Sequence, residues 1–156
     1  MTVYLLCGRI ASGKSTYAAS LDAVTLSCDE LMLSLFDSCL GSKHNDVYKK
    51  CEEYFYTLSL DILKRGADVC LDFGFSTKAE REHARSFYSA EAANVRLVYF
   101  DVPRRERILR LEERNRKLKN STRREYIITE QMLDRFDSGF EEPTDEEDFE
   151  YGNTQI

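Results

Sequence analysis

The residues best equipped for chemistry stand near the start of the chain, in Gly8-Arg9-Ile10-Ala11-Ser12-Gly13-Lys14-Ser15. They fit the spacing G-x-x-x-x-G-K-[ST], in which a glycine-bounded loop cradles phosphate with its backbone N–H groups. Gly8 and Gly13 permit backbone conformations that side chains oppose, so successive N–H groups can turn inward around an anion. A helix opening at Lys14 would add its unpaired N–H groups and the positive end of its dipole. Lys14 can reach β- and γ-phosphates, the Ser15 hydroxyl can coordinate Mg²⁺, and Thr16 closes the set of candidate nucleotide contacts. The apolar run Val3–Cys7 and the helical spacing of Tyr17, Ala18 and Leu21 supply the strand–loop–helix context. An ordinary Gly/Ser turn is the competing reading.

Positioning such a loop requires a sheet, and four short β-like segments are present: Val3–Cys7, Val24–Ser27, Asp68–Phe73 and Val95–Phe100. Helical patterns lie between them: about Asp29 to Ser38, Asp46 to Arg65, from the Thr77-Lys78-Ala79-Glu80 capping box onward, Pro103 to Leu118, and Glu125 to Phe136. On the second of these, Val47, Cys51, Tyr54, Phe55, Leu58 and Ile62 share a face, with Gly66 as the stop. The alternation predicts an α/β protein with a parallel sheet covered by helices. Ligands of such sheets bind beyond the carboxyl ends of the strands. The acids at those ends are Asp29, Asp72 and Asp101. Asp29 suits the base of a phosphoryl transfer, and it equally suits a helix N-cap. Asp72 could hold a metal-bound water or cap a turn. Asp101, shortly before Pro103, reads best as a helix-start signal.

Asp72-Phe73-Gly74 spells the metal-binding tripeptide of protein kinases, but no H-R-D loop precedes it and the glycine loop is of the other type. The match is accidental. The arginines after Pro103 carry more weight. Arg107, Arg110 and Arg114 line one helical face, while Arg116, Arg123 and Arg124 flank a break around Asn120–Thr122. Arginine suits bidentate phosphate contacts, and a segment closing over a nucleotide would bring them there. A salt-bridged surface helix with Glu106–Arg110 and Glu112–Arg116 pairs is the alternative. Arg114 and Arg116 are the candidates for the functional subset.

The chain has 156 residues, 42% of them hydrophobic, enough for one domain with a core. No apolar run nears the roughly 18–20 residues of a membrane span, and no signal peptide is legible. Five cysteines without a regular framework point to reduced thiols and a cytoplasmic protein. The net charge of −6 is unevenly spread: residues 137–150 hold eight acids and no Lys or Arg, and residues 104–124 hold ten basic residues against three acids.

GRIASGKST, SCDEL, VCLDFGFSTKAERE and VRLVYFDVPRRERILRLEERNRKL together resemble a family of small P-loop kinase-like proteins, often filed under AAA-type ATPases. It is related to polynucleotide 5′-hydroxyl kinases, zeta toxins and chloramphenicol phosphotransferase. The resemblance covers about residues 2–143. It implies a three-layer P-loop kinase fold with four or five strands in the order 2-3-1-4-5 and a short arginine lid at about 114–124. The kinase-like domain is expected over 1–140, with an acidic C-terminal tail over 141–156. The implied cofactors are ATP and Mg²⁺. Lys14 and Ser15 would hold phosphate and metal, Asp72 would approach the metal through water, Asp29 would accept the acceptor's proton, and Arg114 would belong to the lid. The activity expected is transfer of the γ-phosphate to a hydroxyl of a small molecule or a nucleic-acid 5′ end. A nucleotide-gated binding module or slow NTPase is the alternative.

Overall fold

A computed structural model describes residues 1–36, 40–91, 93–118 and 126–153. Its elements run β1 (Thr2–Gly8), α1 (Lys14–Ala18), β2 (Val24–Leu26), α2 (Cys28–Phe36), α3 (His44–Lys64), β3 (Val69–Gly74), α4 (Lys78–Ser89), β4 (Asn94–Phe100), α5 (Arg104–Leu118), α6 (Glu130–Ser138) and β5 (Phe149–Tyr151). All five strands are parallel, in the order β2-β3-β1-β4-β5. β1 is central, with Leu5 in register with Leu71 of β3 and Leu97 of β4.

Because side chains alternate along a strand, β1 serves both faces of the sheet. Val3, Leu5 and Cys7 pack with Met32, Phe55, Ala84 and Tyr88 under α2, α3 and α4. Leu6 packs on the other face with Cys70, Val98, Phe100 and Ala18 of α1. A smaller cluster, Leu111, Ile128 and Leu133, joins α5 to α6 and reaches Ile10 and Ala11 of the loop after β1. Among the described residues no helix is long and apolar enough to cross a membrane.

Local signals explain most boundaries. The Thr77–Glu80 capping box forms in full and opens α4. Gly66 takes φ 89° just past α3, where a Cβ would be strained. Two expectations need correction. Tyr54 is 60% exposed, and the buried row of α3 is Cys51, Phe55, Ser59 and Leu63. Ser59 escapes a hydropathy reading because its hydroxyl is satisfied inside the core by Tyr88, at 2.6 Å. The last helix opens at Glu130 rather than near residue 125, because Thr129 caps it by accepting the Met132 N–H at 3.3 Å. The break at Asn120–Thr122, with Arg123 and Arg124, lies outside the described residues.

The acidic segment, read from sequence as a C-terminal tail, joins the sheet through its described residues. β5 pairs with β4, and Gly152, whose missing Cβ leaves room for the Phe100 ring, donates its N–H to the Tyr99 carbonyl at 2.8 Å. The acids find arginines contributed from elsewhere in the chain. Arg81, 1% exposed, holds Glu147 through two hydrogen bonds of 2.6 and 3.0 Å. The same guanidinium donates to the Phe75 and Glu141 carbonyls. Arg96 pairs with Glu150, Arg9 with Glu142, and Arg104 and Arg107 with Asp137. Removing one member of a buried, hydrogen-bonded pair strands the other. Glu147→Ala should therefore cost about 3–5 kcal/mol in a urea titration, and Arg81→Met with Glu147→Leu should cost less than either change alone. The Arg81 hydrogen bond holds the Glu147 carboxyl below its usual value. Its stabilisation is thus full above the ordinary glutamate range and lost as pH falls through the lowered folded value.

Candidate active site

The loop from Gly8 to Ser15 joins the central strand to α1 at the carboxyl edge of the sheet. Gly13 takes φ 98° at the N-cap of α1, a left-handed conformation that favours glycine. Ala11 is also left-handed, at φ 62°. Lys14 folds its ammonium back over the loop, donating to the Gly8 carbonyl at 2.7 Å and the Arg9 carbonyl at 3.1 Å. Burial lowers the Lys14 pKa, and the carboxylates of Asp72 and Asp29 oppose that shift.

Two strand-end acids face this lysine. Asp72 of β3 accepts a 2.7 Å hydrogen bond from the Ser15 hydroxyl. These are hard oxygen donors, suited to a Mg²⁺ ion that keeps several of its waters. Among the described residues, no group of three or more His, Cys, Asp or Glu could hold a metal. Asp29 lies in the first turn of α2, and its rival role is filled by another residue: Ser27 accepts the Glu30 N–H at 3.4 Å. Asp29 is surface-accessible. Even so, protein around its carboxyl first, and the Asp72 charge second, push its pKa up. His44, Lys14 and Arg114 pull the other way. Asp101, exposed between β4 and α5, shows no link to the loop among the described residues.

The arginines sort by helical phase. Arg107 is 2% exposed and structural: it grips Asp137 with two bonds of 3.0 and 2.7 Å and donates to the Val102 and Ile10 carbonyls. Arg110 reaches the loop itself, donating to the Ser12 carbonyl at 3.3 Å while pairing with Glu106. Arg114 donates to the Tyr126 carbonyl and acts on Asp29 through its charge. Arg116 is exposed, since two residues of helix turn it by about 200° from Arg114. Further along α5 Glu113 pairs with Lys117, and among the described residues no Glu112–Arg116 pair forms. The sequence reading thus passed over Arg110, although its position on the Arg107–Arg114 face was the available signal. It also missed Tyr48, whose hydroxyl donates to the Phe73 carbonyl at 3.2 Å, close to both acids. His44, ring-packed on Tyr48 and Tyr126, carried no local signal at all.

A strand-end acid bonded to the hydroxyl of a G-x-x-x-x-G-K-S loop fits a defined group of proteins. The family profile described as AAA domain matches residues 3–143. The chain belongs to this AAA-domain family. No curated protein sequence compared with it matches. Among solved structures, the Kti12 protein of Chaetomium thermophilum, in complex with ADP-AlF3, superposes with TM-score 0.66 at 15% identity, over 91% of this chain and 81% of that one. A gluconokinase from Sinorhizobium meliloti 1021 gives TM-score 0.62 at 12% identity, over 99% and 83%. A chain of the Pnkp1/Rnl/Hen1 complex gives 0.59 at 21% identity, over 83% of this chain and 42% of that one. At these identities the likeness is one of fold, a P-loop kinase-like sheet in the order 2-3-1-4-5.

Arg107→Ala should leave Asp137 short of its closest partner and remove one of the bonds from α5 to the loop. The expected loss is about 2–4 kcal/mol in a urea titration, against about 1 kcal/mol or less for Arg110→Ala.

Proposed function

We propose that the protein is an ATP- and Mg²⁺-dependent phosphotransferase that moves the γ-phosphate to a hydroxyl of a small molecule or a nucleic-acid 5′ end. The observation that carries this reading is the convergence of Lys14, the Ser15–Asp72 pair and the raised Asp29 carboxyl at one sheet edge. Gly8 to Thr16 would cradle the nucleotide phosphates. Ser15 would hold Mg²⁺ and Asp72 a water bound to it, and the ion when bound supplies positive charge against the phosphate oxygens. The acceptor oxygen attacks the γ-phosphorus as its bond to the β-bridging oxygen breaks. The acceptor's proton passes to Asp29, and ADP leaves. A carboxyl raised above the ordinary range is a better base for that proton than an unperturbed one. Arg110, which reaches the Ser12 carbonyl, and Arg114, whose charge acts on Asp29, would supply positive charge to the transferring group, whereas Arg116 points elsewhere on α5.

The fold neighbours include a gluconokinase and a protein in complex with ADP-AlF3, which supports nucleotide chemistry at this edge. One observation favours the second reading, a nucleotide-gated module. Arg9 of the loop bonds Glu142 at 3.0 Å, which ties the loop to the C-terminal segment.

Transfer of label from γ-phosphate-labelled ATP separates the two. Asp29→Asn should lower transfer about 10³-fold or more while nucleotide affinity stays within about threefold, and Lys14→Ala should lose both. Transfer should fall as pH drops through the raised Asp29 value, because only the carboxylate accepts a proton. Unaltered transfer in Asp29→Asn would remove Asp29 as the base. Tight ATP binding without transfer to any hydroxyl would favour the gated module.

A further inference from the structure

β3 presents Asp72 and Phe73 to opposite faces of the sheet, since consecutive strand side chains alternate. Asp72 meets the Ser15 hydroxyl on one side. On the other, Phe73 helps enclose a cavity of about 230 Å³ between α3, α4 and the end of β3. Its walls are aromatic. Tyr56 stands edge-on to Phe73 and His83, and Phe73 stacks on Phe75 at 5.7 Å. Its charged groups are Lys49, Glu52 and Glu53 from α3 and Glu80 with His83 from α4, an excess of carboxylates.

Those carboxylates are not equivalent. Glu80 accepts the Thr77 N–H as part of the α4 cap. Glu52 is half-buried at the cavity wall, and among the described residues neither a hydrogen bond nor an ion pair satisfies it. Burial first, and the Glu80 charge second, push its pKa up to about 7, with Lys49 opposing and Glu53 adding to the rise. The cavity also adjoins the candidate catalytic edge. Tyr48 lies one helical turn before Glu52, and the charges of Asp29 and Glu52 both act on its hydroxyl. The Tyr48 hydroxyl also bonds the carbonyl of Phe73, a residue of the cavity wall, at 3.2 Å.

Resting on the phosphotransferase reading above, we propose that this cavity is the acceptor subsite and that it takes the ammonium end of a small amino alcohol. Aromatic side chains beside an unpaired carboxylate are the pairing that recognises a cation. The hydroxyl would then extend past Tyr48 towards Asp29. A nucleic-acid 5′ end is disfavoured, because its phosphates would meet carboxylates with a single lysine to offset them. Occupancy should strengthen as pH rises through about 7, since Glu52 gains its charge there. Lys49, Glu53, Glu80 and His83 are the other charged or titratable groups facing the site.

The test uses ethanolamine, 4-aminobutanol and 6-aminohexanol, each with its neutral diol, and a 5′-hydroxyl oligonucleotide. Binding is followed by saturation-transfer NMR with a non-hydrolysable ATP analogue present, and label transfer is measured in parallel. One of the amino alcohols should bind saturably and receive label about tenfold or more in preference to its diol. Glu52→Gln should weaken that binding about tenfold, Lys49→Glu should tighten it, and neither should shift nucleotide affinity, which also reports that the variants are folded. Equal use of the diol or the oligonucleotide, with Glu52→Gln silent, overturns the proposal. Amino-alcohol binding that Glu52→Gln weakens, with no label on any acceptor, supports the cation preference and overturns the phosphotransfer reading instead.

Discussion

Ser15 and Asp72 lie 57 residues apart in the chain and 2.7 Å apart in the fold. They meet because β1 and β3 are neighbours and both end at the same edge of a parallel sheet. That adjacency also brings Asp72 within the influence of Lys14, which Asp29 shares from the first turn of α2. Like charges held close in a desolvated cleft are costly unless a cation or a proton relieves them. Burial in that cleft disfavours the charged form of both groups, raising Asp29 and lowering Lys14; the Asp72 charge adds to the first shift and opposes the second.

A second set of charges makes the edge rigid. The basic α5 and the acidic C-terminal segment stand out in the sequence as opposite runs, and the fold uses them as partners. Arg107 and Arg104 hold Asp137, Arg9 holds Glu142, and Arg81 holds Glu147 below the sheet edge. Arg81 also bonds the Phe75 carbonyl, where the chain leaves β3 through two left-handed residues, Gly74 and Phe75. The backbone next to Asp72 is thereby fixed from the C-terminal side. Strain of this kind persists where surrounding bonds over-determine it, and it clusters at functional sites.

The parts of this arrangement carried by local pattern were legible in the sequence. The loop, the first four strands, the Thr77 cap and the Gly66 stop each depend on residues within one turn of one another. The strand order came from resemblance to a family rather than from pattern. What escaped depended on distant partners. β5 is three residues long in an acidic run, and only β4 makes it a strand. Ser59 reads as polar until Tyr88 is placed beside it. Asp29 could not be told from a helix cap until Ser27 was seen in that role. Arg110 and Arg114 share a face that the spacing revealed, but which of them meets the loop depends on how α5 docks, and no local signal encodes that.

The most direct test of the account is a double-mutant cycle on Ser15 and Asp72, read as ATP affinity by calorimetry with Mg²⁺ and again with EDTA. If the two side chains act together on the metal, Ser15→Ala and Asp72→Asn should be non-additive by about 1 kcal/mol or more with Mg²⁺, and that coupling should vanish with EDTA. Additive effects under both conditions would contradict it, and would reduce the Ser15–Asp72 contact to a feature of the fold alone.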